Sequence, residues 1–327
     1  MQLPSLRATG PDLSNPIAAS QRRGWREGKL GVGALRRLSR SERVVGTLFS
    51  APAVAFFVLF WVFPFGLAVY YSFTNYDLLT APRWIGTQNY STLFSSVTFV
   101  HSVSITALFI VVTVAPTLVL ALLLAAPISR GGRVFGVYRA LIMIPAVMPL
   151  VASAIVWLIM YQPSGLLNTV IAYFGISPVP WLTGINQAFW ALALMTIWKY
   201  LGFYFLIILT GLQTVPRNLY DAAAIDGASS SRAFLRVTLP LIRRTLAFVA
   251  VIGLIVAAQS FVPAYLLTDG GPANATNLLP VYLYKVGFTF STMGAAAAIS
   301  VVMTVALVAV AFVQFRIIQG RSVNAAR

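Results

Sequence analysis

Few of the 327 residues carry side chains suited to covalent or acid–base chemistry, and their scarcity is informative. There is no cysteine and a single histidine, His101. Disulfides, thiolate metal sites and cysteine nucleophiles are therefore excluded. Zinc sites of the HExxH kind need two histidines and are excluded as well. No GxxxxGK[ST] run is present, so nucleotide phosphates are not cradled by that loop. Asp77 and Asp269 stand far apart in sequence, and no nucleophile–base set accompanies them. What remains is a scatter of polar and aromatic groups inside apolar runs. Lys199 sits mid-run, where a charge costs about 2.5–3.5 kcal/mol on membrane-insertion scales, so it must face protein or water. It is either a solute or gate contact or a structural lysine bonded to backbone carbonyls. Gln259 and Ser260 precede Pro263 and serve either the proline kink or a polar path. Trp157, in a row with Pro149 and Ser153, has a face suited to a sugar ring or to helix packing. Tyr265 lies near a run's end, where an interfacial anchor is the default. Thr113 with Thr117, and Ser300 with Thr304, are i, i+4 pairs of the kind that bond within or between helices.

The elements that must hold these groups follow from composition. Apolar residues make up 59% of the chain and charged residues 9%, with mean hydropathy +0.84. Soluble domains are about 25% charged, so a water-soluble globule is excluded. Six apolar cores lie at 48–71, 103–126, 139–161, 188–211, 246–268 and 294–315, free of charge except for Arg139 at the edge of the third and Lys199 inside the fourth. Each is long enough to cross a hydrocarbon layer of about 30 Å as a helix. The expected fold is an all-α polytopic membrane protein with six transmembrane helices. Of the 23 Lys and Arg residues, all but Arg83, Lys199 and Lys285 lie in alternate segments: residues 1–44, 127–139, 212–245 and the tail. By the positive-inside rule both termini are expected to be cytoplasmic. The net charge of +16 is thereby read as topology and attraction to anionic lipid, not as a nucleic-acid surface. Residues 1–44 lack an apolar core and read as a basic cytoplasmic arm, with a short interfacial helix near Ala34–Val45. Leu166–Phe174 is too short to span and is expected at the outer interface or partly re-entrant. His101 is expected to be interfacial.

The most informative segment is the loop 212–245, GLQTVPRNLYDAAAIDGASSSRAFLRVTLPLIRR. Pro216 suits the first turn of a helix. Leu219, Ala222, Ala223 and Asp226 follow along one face. Gly227 accepts the left-handed conformation that stops a helix. Ser229 or Ser230 caps a second helix that runs through Phe234 and Val237 to Pro240. A compact helical knob held under the membrane suits docking to another protein. Asp226 is expected to make a helix-terminus or partner-facing link, not to act as a catalytic acid.

Asp221-Ala222-Ala223, three residues, Gly227, nine residues, Val237, one residue, then Leu239-Pro240 resembles the EAA motif of permease subunits in binding-protein-dependent ABC importers. Asp221 stands where that family usually has Glu, and Val237 where it has Ile. Gly86–Phe94, Tyr138–Asn168 and Thr268–Leu279 look like segments of its carbohydrate-importing, MalF/UgpA-like branch. The resemblance spans about residues 45–318 and implies the MetI-like permease fold. Residues 1–44 would be an arm, 45–318 the permease domain and 319–327 a cytoplasmic tail. The chain would form a heterodimer with a second homologous permease subunit, with two ATPase subunits beneath it and an extracytoplasmic solute-binding protein above. It would lie in a bacterial or archaeal cell (inner) membrane among lipid, with no nucleic acid. ATP and Mg would be used by the ATPases, and this chain would bind no cofactor and catalyse nothing. Leu219, Tyr220, Asp221, Ala222, Ala223, Asp226, Gly227, Ala228 and Pro240 would form the ATPase-coupling element. Trp157, Lys199, Gln259, Ser260 and Tyr265 are the candidates for the solute path. The solute would be a sugar or oligosaccharide, with a glycerol-phosphate compound second. The rival reading, a secondary transporter or channel, would call for ionisable groups in several spans, and only Lys199 qualifies.

Overall fold

The computed structural model describes residues 45–129 and 135–323. The basic arm, with its expected interfacial helix, lies outside the described residues, as does the end of the tail. The described residues fall into two units, divided between Leu67 and Ala68. The first described helix, α1 (Val45–Ser72), is apolar throughout, with a π turn at Val58–Val62. Its side chains from Phe56 to Phe63 are exposed. A helix that is apolar on all sides needs lipid or protein around it.

In the second unit the chain forms α2 (Gln88–Ser95), α3 (Val97–Ala125), α4 (Phe135–Val147), α5 (Leu150–Met160) and α6 (Leu166–Ala172). There follow α7 (Ile185–Gln213), α8 (Arg217–Ile225), α9 (Ser230–Leu241) and α10 (Arg243–Ala258). The chain ends with α11 (Val262–Thr268), α12 (Leu279–Tyr284) and α13 (Met293–Val323). Helices α1, α3, α7 and α13 are each long and apolar enough to cross a bilayer. Helix α13 continues past residue 318, where a tail was expected to begin.

The runs 139–161 and 246–268, expected as single helices, are interrupted. Helices α4 and α5 meet at 95°. Pro149 supplies no N–H and pushes Met148 out of the helical region, so the ladder stops there. Pro149 itself is extended, at φ −56°, ψ 139°, and precedes α5. The fifth run breaks after Ala258 and resumes at Val262. By contrast Pro116 lies within the unbroken α3.

Helix α7 is the central element. It packs along α3 and α4, and α10 packs along α3, α7 and α13. Helices α5 and α11, the second halves of the interrupted runs, pack on each other. The α7 side of these contacts includes the small residues Ala188, Ala191, Ala193 and Gly202 among larger buried ones. Without a hydrophobic drive between helices inside lipid, such small residues gain contact by letting backbones approach. A Cβ at Gly202 would collide with the carbonyl oxygen of Ile142, which shows how closely α7 meets α4.

Candidate functional site

The loop 212–245 folds as a helix, a sharp turn and a second helix. Pro216 precedes α8 in an extended conformation and does not occupy its first turn, one residue earlier than expected. At the other end Gly227 has φ +73°. Its N–H donates to the Ala224 carbonyl at 3.0 Å, and the Ala228 N–H donates to Ala223 at 2.9 Å. This pair of bonds is the Schellman closure, and it satisfies carbonyls that a helix end otherwise leaves open. Ser229 then caps α9, its Oγ accepting from the Arg232 N–H at 3.4 Å. The two short helices are tied by a 2.7 Å hydrogen bond between the hydroxyls of Tyr220 and Thr238. Tyr220 and Phe234 also pack against the buried cluster of Leu212, Val215 and Ile242, which roots the knob in the long helices.

What the knob presents is a small-residue surface. Leu219, Asp221, Ala222, Asp226, Gly227 and Pro240 are exposed, whereas Tyr220, Ala223 and Ala228 are half-buried. Sequence reasoning missed Ile225, which is 87% exposed. It lies off the Leu219–Ala222–Ala223 row. An isoleucine beside a helix-stopping Asp-Gly pair was the available signal. A cleft of about 490 Å³ beside α8 is lined by Ser129, Gln213, Arg217, Tyr220 and Asp221. Arg217 and Asp221 thus bring both charge signs to one side of the knob.

The candidates in the solute path separate by burial. Lys199 is 6% exposed. Its Nζ donates to the carbonyl oxygens of Pro145 at 2.7 Å, Ala146 at 3.4 Å, and Met148. These are carbonyls at the broken end of α4, where unpaired oxygens and the helix dipole both favour a cation. Trp157 is buried, with its ring 5.2 Å from Tyr161 and 5.5 Å from Trp198. The threonine hydroxyls close on their own helices: Thr113 on the Phe109 carbonyl, Thr117 on Thr113 and Thr304 on Ser300. Ser153 likewise donates to Pro149.

The break after α10 is different. Pro263 cannot donate to the Gln259 carbonyl, and the Phe261 N–H does so instead, at 2.8 Å. The kink is therefore closed by backbone, and the Gln259 side chain is exposed. Ser260 is buried, and its Oγ has no partner among the described residues. Beyond the break, Phe261 stacks on Tyr265 at 5.1 Å, and both lie against Tyr284, which stacks on Phe288. Gln259, Ser260 and Tyr265 are thus gathered at one break, while Lys199 serves the other.

The loops at the far end of α7 are tightly stitched. His101 Nε2 lies 3.0 Å from the Asn274 carbonyl, and Thr106 accepts from the Leu279 N–H at 2.8 Å. Lys285 bonds both the backbone and the carboxylate of Asp269. Asp77 accepts from the Thr80 N–H and hydroxyl and from the Leu79 N–H. The Thr80 bonds hold its carboxyl below the ordinary 3.8. Among the described residues no three His, Asp or Glu side chains gather in a way that would hold a metal.

Residues 117–323, which include the knob, both breaks and the central helix, match the family described as the binding-protein-dependent transport system inner membrane component. The chain belongs to this family. It is 34% identical over 284 residues to the sn-glycerol-3-phosphate transport system permease protein UgpA of Agrobacterium fabrum, covering 86% of this chain and 96% of that one. It is 31% identical to the trehalose/maltose transport system permease protein MalF of Thermococcus litoralis, over 86% of this chain and 96% of the relative. A crystal structure of a bacterial alginate ABC transporter, in complex with alginate pentasaccharide-bound periplasmic protein, superposes with a TM-score of 0.74. That match covers 85% of this chain and 94% of the other, at 22% identity, and so speaks to fold. This permease component is a multi-pass inner-membrane protein and the non-catalytic part of an ABC importer.

Proposed function

We propose that this permease forms half of the pathway of an ATP-driven importer for a sugar or oligosaccharide, and that α8 and the Gly227 turn are where the ATPase acts on it. The exposed helix–turn–helix knob carries the reading. Leu219, Asp221, Ala222 and Ile225 stand out from a helix closed at Gly227 and rooted through Tyr220. A bound ATPase can shift a membrane equilibrium only through contacts that differ between its states. A rigid element joined directly to α7 and α10 transmits such a difference to the bundle.

The remaining parts follow from the same reading. A second homologous permease subunit supplies the other half, two ATPases use ATP and Mg, and an extracytoplasmic solute-binding protein delivers the solute. The arginine-rich segments, knob included, face the cytoplasm with both termini. Residues 1–44 form an arm, 45–318 the permease domain and 319–327 the tail. Gln259, Ser260 and Tyr265 line the path, because one is exposed at a helix break, one is an unpaired hydroxyl and one belongs to a ring row suited to sugar faces. Lys199 and Trp157 support that path from within the protein. The names of UgpA and MalF and the alginate complex favour carbohydrates and glycerol phosphates as the solute range. The sugar reading is preferred for the aromatic row at Tyr265.

Pull-down of the chain from native membranes tests this. A homologous permease subunit and an ATPase should co-purify, and the accompanying solute-binding protein can be screened against oligosaccharides and glycerol phosphates. Recovery of the chain alone, with residues 212–245 open to protease, would overturn the coupling assignment.

A further inference from the structure

The connection between α5 and α7, residues 161–184, lies at the end of the molecule remote from the knob. The 29 residues of α7 separate the two, about 43 Å at 1.5 Å per residue. This connection is ordered by one side chain. Asn168 is buried, and its Nδ2 donates to the carbonyls of Gln162 and Val179. Its Oδ1 accepts from the Val179 N–H at 2.9 Å and the Trp181 indole N–H at 3.1 Å. On the same side Leu167, Trp181 and Leu182 pack on the main buried cluster.

The other face of α6 has no cover among the described residues. Leu166 and Val170, at i and i+4, share one side of α6, and Tyr173 and Phe174 follow in the turn that ends it. Tyr173 is 85% exposed and Phe174 77%. No charged residue occurs between Arg139 and Lys199. A water-facing protein interface is enriched in arginine, which this face lacks. Membership of an inner-membrane family puts lipid within reach of this face. Val151, Ile155 and Ile159 on α5, and Ile185, Trp190 and Leu194 on α7, are exposed as well.

We propose that Leu166–Phe174 is a preordered lipid anchor, lying along the membrane interface of the leaflet remote from the knob, with the Tyr173 hydroxyl at headgroup depth and Val170 and Phe174 among the acyl chains beneath it. Aromatic rings with one polar end favour that depth. The Asn168 staple fixes the loop beforehand, so immersion orders little further chain. The anchor holds the outer ends of α5 and α7 at a set height while the rest of the bundle moves. It rests on the membrane location of the family and is independent of which solute is carried.

The test uses the absence of native cysteine. Phe174→Cys and Val170→Cys are labelled singly with a nitroxide in the importer purified with its native partners and placed in phosphatidylcholine–phosphatidylglycerol nanodiscs. Collision rates with oxygen and with a water-soluble nickel chelate are compared. The anchor predicts oxygen collisions several-fold above nickel collisions at both positions. Nickel collisions in excess would place the face in water, and low rates for both would place it against a protein partner. Either result overturns the proposal.

Discussion

Replacing Lys199 with Met keeps the length of the side chain and removes its charge, which isolates what the ammonium does. Three carbonyls of the broken α4 lose their donor: Pro145 at 2.7 Å, Ala146 at 3.4 Å, and Met148. Hydrogen bonds to charged groups contribute about 1.5–3 kcal/mol each in soluble proteins. Polar contacts between membrane helices average nearer 0.6 kcal/mol. One of the three bonds is long, and the two shorter ones leave buried oxygens without partners when the donor goes. These bounds give about 2–4 kcal/mol for Lys199→Met, with Lys199→Arg between the two proteins. At about 1.4 kcal/mol per tenfold, the folding equilibrium shifts roughly 30- to 700-fold. Detergent-induced unfolding in bicelles measures it, read by tryptophan fluorescence, because Trp198 adjoins Lys199 and touches Trp157. A Lys199→Met protein within about 0.5 kcal/mol of the parent would refute the reasoning. If in addition its transport KM rose while stability held, Lys199 would be a solute contact.

Gly227→Glu puts a bulky, charged residue at φ +73° on the exposed knob and should abolish ATP-driven uptake while the subunit still inserts. Uptake at the normal rate in proteoliposomes would remove the knob from the coupling route. Gly202→Ala drives a Cβ onto the Ile142 carbonyl and should cost about 1–3 kcal/mol in the same unfolding assay. Asp77 has a depressed pKa in the fold, so its contribution to the turn is complete above the ordinary 3.8 and fades as pH falls through the lowered value. Amide exchange at Leu79 and Thr80, corrected for intrinsic rate, should be flat from about pH 7 to 5 and accelerate only below about 4. Acceleration near neutrality would contradict it.

The long helices were legible because hydropathy and sparse charge measure what a bilayer demands. The cores at 48–71, 188–211 and 294–315 fall inside α1, α7 and α13, and that at 103–126 overruns α3 by one residue. The interruptions were not legible from the same ruler, since a break inside a membrane protein leaves hydropathy unchanged. Proline was an ambiguous sign: Pro149 stands at a 95° bend, while Pro116 sits in a continuous helix whose neighbours tolerate it. The turn at Gly227 was legible because only a residue tolerant of positive φ closes a helix in that way. Gln259 was harder. Its type and place allowed service either to the proline kink or to a polar path, and the choice between a backbone and a side-chain donor depends on local geometry that no composition encodes. Lys199 left two readings open, and the answer needed the position of α4, a neighbour 51 to 54 residues away.

The threonines of α3 bear on how the protein is made. A helix leaving the translocon enters lipid before its later neighbours exist, and each polar side chain must find a partner at once. Thr106, Thr113 and Thr117 donate to carbonyls four residues earlier on the same helix, so those three demands are met without waiting. Donation leaves a hydroxyl's lone pairs free. At Thr106 one of them receives the N–H of Leu279, synthesised some 170 residues later. The same hydroxyl therefore serves first as ballast for insertion and later as the peg on which the 269–279 loop is hung, which sets an order of assembly in which α3 settles before that loop is fastened.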